Sequence, residues 1–208
     1  MNLLFLFLTG ITIGISGAMI PGPLTIFTIS ATLQTNNKFT GLRIILGHII
    51  LEFVFITVVL LGFQKFLSSK EFLRASSIIG SIALILMGIL LLLNAAKIKL
   101  SDIKGNCEFN KGLILGGVFF SVISPGFLIW WATIGISTIV KALLSGIFGV
   151  VMLTLGHWLA DTAWYASLSY AVNKGRMYLT NKSYQNIMRL FAALLILLGL
   201  RFYLIQPT

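Results

Sequence analysis

The side chains best suited to chemistry in this sequence occur in two copies of one short motif. Residues 47–52 read Gly-His-Ile-Ile-Leu-Glu, and residues 156–161 read Gly-His-Trp-Leu-Ala-Asp. The two copies contain both histidines of the chain and two of its five acidic residues. A histidine and an acid four positions apart lie on one face of a helix. The motif therefore predicts two His–carboxylate pairs, which are His48 with Glu52 and His157 with Asp161.

These pairs suit three roles, and the sequence leaves all three open. An imidazole beside a carboxylate in an apolar segment can exchange a coupling proton or bind the ammonium group of a substrate, because burial makes its protonation depend on what binds nearby. Two imidazoles and two carboxylates could instead form a four-ligand site for a divalent cation. The third role is structural, with each His–acid hydrogen bond holding helices together. We expect no resident metal and no cofactor.

Enzymatic motifs are absent from the sequence. It contains neither His-Glu-x-x-His nor the Gly-x-Ser-x-Gly nucleophile elbow, so we expect that the protein is not an enzyme. The single cysteine, Cys107, excludes an internal disulfide and a two-cysteine redox relay. Trp130, Trp131 and Trp158 could stack on a substrate, although packing and interfacial anchoring are the commoner roles of tryptophan in such segments.

The composition predicts an integral membrane protein. Hydrophobic residues make up 58% of the 208 residues and charged residues only 10%, and the mean hydropathy is +1.01. A soluble domain carries about 25% charged residues. The net charge of +10 arises mainly from short connections between apolar runs, which indicates contact with anionic lipid in the plasma membrane and no nucleic acid.

Six apolar stretches are candidate membrane spans. A helix needs ~20 residues to cross the bilayer core, and continuous apolar runs favour helices over a closed barrel. The stretches are residues ~3–20, 42–64, 75–94, 112–124, 142–171 and 186–204. We expect an all-α fold with six transmembrane helices.

Two proline–glycine motifs interrupt apolar stretches that are too long for one span. Proline breaks or kinks a helix, and a helix that restarts leaves free N–H groups that suit an anion. A simple proline kink is the alternative. Threonines follow the first motif at helical spacing and give the helix a hydroxyl-bearing face. The predicted substrate-binding residues are Pro21, Gly22, Pro23, Thr25, Thr28, Ser124, Pro125 and Gly126.

The order of these features predicts an internal repeat. Residues 1–94 and 112–208 each contain a broken helix, a helix with a His–acid pair and a plain apolar helix, and a cytoplasmic linker, 95–111, joins them. Pro125 is taken as the counterpart of Pro21. An odd number of spans in each unit makes the second unit enter the membrane inverted. Lysine and arginine are more frequent in the first, third and fifth connections, which places both termini outside the cell.

The chain resembles the LysE/RhtB family of amino-acid exporters. The resemblance rests on Ile20-Pro21-Gly22-Pro23, on Lys38-x-x-Gly41, on Gly80 and the run Gly88-Ile-Leu-Leu-Leu, and on the second proline motif. It covers nearly the whole chain. Many members have Asn-Pro-Lys at the second break, where this chain has Ser124-Pro125-Gly126.

This resemblance implies export of a small zwitterionic solute, an amino acid, by proton antiport. The half-helix ends would hold the charged ends of the solute, and the His–acid pairs would carry the proton or bind the ammonium group. The expected partners are the substrate, protons and membrane lipid, with a homodimer left open. Export of a divalent metal cation and a purely structural membrane subunit are the alternative functions.

Overall fold

The computed structural model describes residues 2–19, 22–67, 69–95 and 112–204, and these residues are almost entirely helical, without a β-strand. The helices are α1 (Leu3–Ala18), α2 (Pro23–Thr35), α3 (Thr40–Val58), α4 (Gln64–Leu67), α5 (Lys70–Ala95), α6 (Leu113–Val122), α7 (Pro125–Trp130), α8 (Ile136–Leu143), α9 (Ile147–Gly175) and α10 (Asn181–Leu204). The segment Val59–Phe63 joins α3 to α4 with a kink at Gly62, whose φ of 95° is not helical, and a π-helical turn, Trp131–Gly135, joins α7 to α8.

Five continuous helical stretches are long and apolar enough to cross a membrane. They are Thr40–Phe63, Lys70–Ala95, Pro125–Leu143, Ile147–Tyr178 and Asn181–Leu204. Helices α1 and α2, inclined at 76°, give a sixth crossing if the bent pair counts as one span. The predicted all-α, multi-pass membrane fold is confirmed. Residue Pro21, Cys107 and almost all of the predicted linker lie outside the described residues.

Both predicted helix breaks lie beside a proline at the first position of a new helix. Helix α2 begins at Pro23 after Gly22 in extended conformation, and α7 begins at Pro125 after Ser124 in extended conformation. The first helical position suits proline because its missing N–H has no intrahelical acceptor there. Pro23 and Pro125 thus share the first position of a half-helix, and the correspondence of Pro125 with Pro21 in the repeat remains a prediction.

The helices of the two halves of the chain pack against each other in a reciprocal pattern. Helix α1 packs along α9, α6 packs along α3, and α5 packs along α10. Each helix with a His–acid pair thus contacts the first half-helix of the other half, and α3 also contacts α9 directly. An inverted repeat predicts this arrangement, and the repeat and its boundaries remain predictions.

The glycine of each motif allows one of these close approaches. A Cβ atom on Gly47 of α3 would overlap the carbonyl oxygen of Ile114 in α6. A Cβ atom on Gly156 of α9 would overlap the carbonyl oxygen of Phe7 in α1. Small residues let helix backbones approach closely in membranes. The motif glycines therefore set the position of the histidines that follow them.

Candidate functional site

The two His–acid pairs meet in one cluster where α3 and α9 cross. Within each helix, His48 Nε2 lies 3.2 Å from Glu52 Oε1, and His157 Nε2 lies 3.3 Å from Asp161 Oδ2, as the i,i+4 spacing predicted. Between the helices, His157 Nε2 lies 3.1 Å from Glu52 Oε1, and His48 Nε2 lies 3.9 Å from Asp161 Oδ2. Imidazoles and carboxylates therefore alternate around a closed four-residue cluster.

The cluster is buried inside the helix bundle. Glu52 is 1% exposed, Asp161 2% and His157 6%, while the His48 side chain is 12% exposed. An isolated charge at such depth is costly unless it is paired and hydrogen-bonded. Each carboxylate has two imidazoles as neighbours, so protons shared with these rings can compensate its charge.

The carboxylate oxygens of the cluster differ in their partners. Oxygen Oε1 of Glu52 accepts a hydrogen bond from Trp131 Nε1 at 3.2 Å and faces both imidazoles. Within the described residues, Oε2 of Glu52 makes no hydrogen bond, and Asp161 Oδ2 makes none beyond its ionic contacts with the imidazoles. These two buried acceptors can receive hydrogen bonds from a bound cation.

Ser121 of α6 fixes the orientation of the His48 ring. Its hydroxyl lies 2.7 Å from His48 Nδ1 and donates to the carbonyl oxygen of Gly117, also at 2.7 Å. A serine hydroxyl carries one proton, so with that proton on Gly117 the Nδ1–H of His48 donates to Ser121. Neutral His48 then has its bare nitrogen, Nε2, facing Glu52. A proton, an ammonium N–H or a metal ion is needed between these two atoms.

Aromatic rings surround both histidines. Trp130 stacks on His157 with ring centroids 5.1 Å apart, and Trp131 meets the same ring edge-on at 5.8 Å. Phe127 meets His48 edge-on at 5.4 Å. These contacts restrict rotation of the imidazoles and place both tryptophans inside the bundle.

A cavity of about 110 Å³ opens beside the cluster. Nine of the residues predicted from the sequence line it, namely Gly22, Pro23, Thr25, His48, Glu52, Ser124, Gly126, His157 and Asp161. Two predicted residues do not line it. Thr28 is buried and donates to the carbonyl of Leu24 in its own helix, and Pro125 is buried beside Gly80 of α5.

Several cavity residues were not predicted from the sequence as site residues. They are Gly17, Ala18, Leu84, Ser121, Trp130, Trp131, Tyr165, Leu198 and Phe202. Most are apolar residues in apolar helices, where no spacing distinguishes a cavity wall from a lipid-facing surface. The adjacent tryptophans were the only visible signal, since stacking was one of the roles open to them.

The N-terminus of α2 forms another part of the cavity wall. Gly22 precedes α2 and provides no side-chain cap, and its carbonyl accepts from Ile26 N–H. The N–H groups of Leu24 and Thr25 therefore have no intrahelical acceptor. The Thr25 hydroxyl lies 3.5 Å from Tyr165 OH. These two N–H groups, which have no acceptor within α2, and the helix dipole favour an anion at this end of the cavity.

The cavity thus combines two complementary binding features. The carboxylates and His48 Nε2 can accept hydrogen bonds from an ammonium group, and the α2 N-terminus can donate to a carboxylate. The same cluster also offers ligand atoms for a cation, because one atom each from His48, Glu52 and Asp161 lie within 4.8 Å of one another.

Comparison with known proteins gives a family but no individual relative. No curated protein and no solved structure matches the chain. The model of the LysE type translocator family matches residues 15–206, which is nearly the full length. The chain therefore belongs to the LysE type translocator family of membrane transporters.

Proposed function

We propose that the protein exports a small zwitterionic solute, an amino acid, in exchange for protons. The observation that carries this proposal is the pairing of features in one cavity, where buried carboxylates with free acceptor oxygens lie near the uncapped N-terminus of α2. A zwitterion presents an ammonium group and a carboxylate, and each finds a matching partner here.

The ammonium group binds at the His–acid cluster. It has three N–H donors and no acceptor, and Glu52 Oε2, Asp161 Oδ2 and His48 Nε2 are the matching acceptors. A charge-assisted hydrogen bond to a carboxylate is about twice as strong as a neutral one. The α-carboxylate of the solute binds the N–H groups of Leu24 and Thr25, beside Gly22 and Pro23.

Coupling follows from competition for the same acceptors. In the absence of solute, protons placed between the imidazoles and carboxylates compensate the buried charges. When the ammonium group enters, it supplies the hydrogen bonds that these protons supplied, so the protons leave. A cluster that holds either the solute or its protons exchanges one for the other across the membrane.

The proposed direction of transport, export, follows the resemblance to the amino-acid exporters. The proposed orientation of the chain in the membrane follows the lysine and arginine content of the loops. Both termini lie outside the plasma membrane in this proposal, and the lysine-rich connections face the cytoplasm. A reporter fused to the C-terminus that is active only outside the cell supports the orientation, and one active only in the cytoplasm contradicts it.

The experiment is transport by purified protein in liposomes with a pH gradient. An imposed gradient should drive movement of amino acid against its concentration, and counterflow of protons should accompany it. Glu52→Gln and Asp161→Asn should each abolish the gradient-driven component. Glu71→Gln is the matched control because Glu71 is exposed at the start of α5, away from the cavity. If both cavity variants retain proton-coupled transport, the coupling role is wrong.

A divalent cation is the second candidate substrate, favoured by the three ligand atoms within 4.8 Å of one another. Zinc ions would bind His48, Glu52 and Asp161 directly, with Ser121 orienting His48 through its other ring nitrogen. Thermal stabilisation of the purified protein separates the candidates. Stabilisation by amino acids and not by Zn²⁺ supports the first proposal, and the opposite result supports cation export. Absence of transport in liposomes, together with no stabilisation by either ligand, would favour a structural subunit.

A further inference from the structure

The cavity has a second part whose chemistry differs from that of the cluster. Leu84 of α5 and Leu198 and Phe202 of α10 line it, and Phe127 of α7 adds an aromatic ring. Among the described residues, the acids and histidines that line the cavity all come from α3 and α9. Helices α5 and α10 therefore contribute an entirely apolar wall.

This wall belongs to a larger apolar cluster. Leu84 is fully buried and packs with Ile26 of α2 and Leu195 of α10, and Leu198 and Phe202 pack against the same cluster. A charged group placed against such a surface would need a buried counter-charge. On the proposed function the two carboxylates nearby bind the α-ammonium group, and none of the described residues of α5 and α10 that line the wall carries a charge.

We propose that the transporter selects amino acids with uncharged, apolar side chains, and that Leu84, Leu198 and Phe202 determine this selectivity. The inference rests on the proposed function. With its ammonium group at the cluster and its carboxylate at α2, the solute directs its side chain towards the wall formed by α5 and α10. Lysine and arginine find no partner for their second charge there.

Affinity should rise with the apolar length of the side chain. Burial of one methylene group strengthens binding about fourfold, the equivalent of ~0.8 kcal/mol. The cavity volume of about 110 Å³ limits this gain, because a side chain that exceeds the space must displace packed leucine and phenylalanine side chains. Affinity should therefore rise with each added methylene group and stop rising once the side chain fills the cavity.

The test measures binding of a homologous series to the purified full-length protein. Alanine, 2-aminobutyrate, norvaline and norleucine differ by one methylene at each step. We expect about fourfold tighter binding per step until the cavity is full. Lysine, which is norleucine with an added ammonium group, should bind at least tenfold more weakly than norleucine. Lysine or arginine binding as tightly as norleucine would overturn the inference.

Two variants test the named residues. Leu84→Ala should weaken binding of norvaline and move the optimum to longer side chains such as norleucine or phenylalanine, because it enlarges the cavity. Leu84→Val makes a smaller change in the same direction and serves if the alanine variant does not fold. The matched control is Leu86→Ala, which removes a leucine that is 56% exposed on another face of α5. An unchanged preference in both Leu84 variants would contradict the assignment.

The outcomes distinguish this inference from the function on which it rests. Binding of all amino acids in the series without a methylene trend overturns the selectivity and leaves amino-acid export intact. Binding of Zn²⁺ alone overturns the proposed function, and the selectivity with it. An optimum that moves to longer side chains in Leu84→Ala and stays unchanged in Leu86→Ala supports both.

Discussion

Replacing Gly156 with alanine should separate α1 from α9 and disturb the cluster. The new Cβ atom would overlap the carbonyl oxygen of Phe7 and lie 3.0 Å from its carbonyl carbon and 3.1 Å from the Ile11 nitrogen. These are backbone atoms, which no side-chain rotation can move. The helices must separate by roughly 1 Å, and such overpacking costs about 1–3 kcal/mol.

The displacement also affects His157, the next residue along α9. Its Nε2 atom lies 3.1 Å from Glu52 Oε1, so a shift of roughly 1 Å takes the contact beyond hydrogen-bonding range. We therefore expect loss of gradient-driven transport together with loss of thermal stability. About 2–4 °C in melting temperature corresponds to each kcal/mol for a chain of this size.

Gly175→Ala is the matched control for this prediction. Gly175 is the last residue of α9, and within the part of the chain that the structure describes no atom outside its own helical turn lies within 4 Å of a Cβ atom added there. Thermal unfolding in detergent and liposome transport should both remain close to wild type, within about 0.5 kcal/mol in stability. Equal melting temperatures and equal transport for the two variants would refute the close packing of α1 on α9.

Other residues give further predictions. Ser121→Ala should reduce transport and change its pH dependence, because His48 Nδ1 loses its acceptor at a cost of about 1–3 kcal/mol, whereas Ser121→Thr should keep both. A nuclear magnetic resonance titration of the imidazole nitrogens shows which nitrogen of His48 carries the proton, and an unchanged tautomer in Ser121→Ala would contradict the orienting role. Trp131→Phe should weaken stability by about 1.5–3 kcal/mol through loss of the donor to Glu52, measured by thermal unfolding, and no change would mean that this bond contributes little. Thr25→Val should weaken amino-acid binding while Thr28→Val should not, since of the two only Thr25 lines the cavity, and equal effects in a binding assay would contradict this cavity as the binding site.

The parts of the site that the sequence predicted are those set by local spacing. The i,i+4 rule placed His48 beside Glu52 and His157 beside Asp161, and the scarcity of ionisable residues in apolar segments made both pairs visible. The contact between the pairs depended on a repeat hypothesis, because no local rule specifies which helices of a bundle meet.

The parts that the sequence did not predict depend on helix orientation. Thr28 was expected to bind substrate because it shares a helical face with Thr25, but it lies one turn further from the break and bonds to its own helix. Ser121 has no distinguishing spacing, and its role depends on the packing of α6 along α3. The apolar wall formed by Leu84, Leu198 and Phe202 is indistinguishable in sequence from leucines and phenylalanines that face lipid.

The ring of alternating imidazoles and carboxylates also bears on the biogenesis of the protein. Residues Glu52 and His157 are 105 positions apart, and at a synthesis rate of about 5–20 residues per second His157 is made roughly 5–20 s after Glu52. During this interval α3 must enter the bilayer with its acid lacking its partner from α9. His48, one turn away on the same helix, can share a proton with Glu52 and reduce the cost of insertion. The i,i+4 spacing of His48 and Glu52 would thus lower the cost of inserting α3 into the membrane before the complete cluster forms.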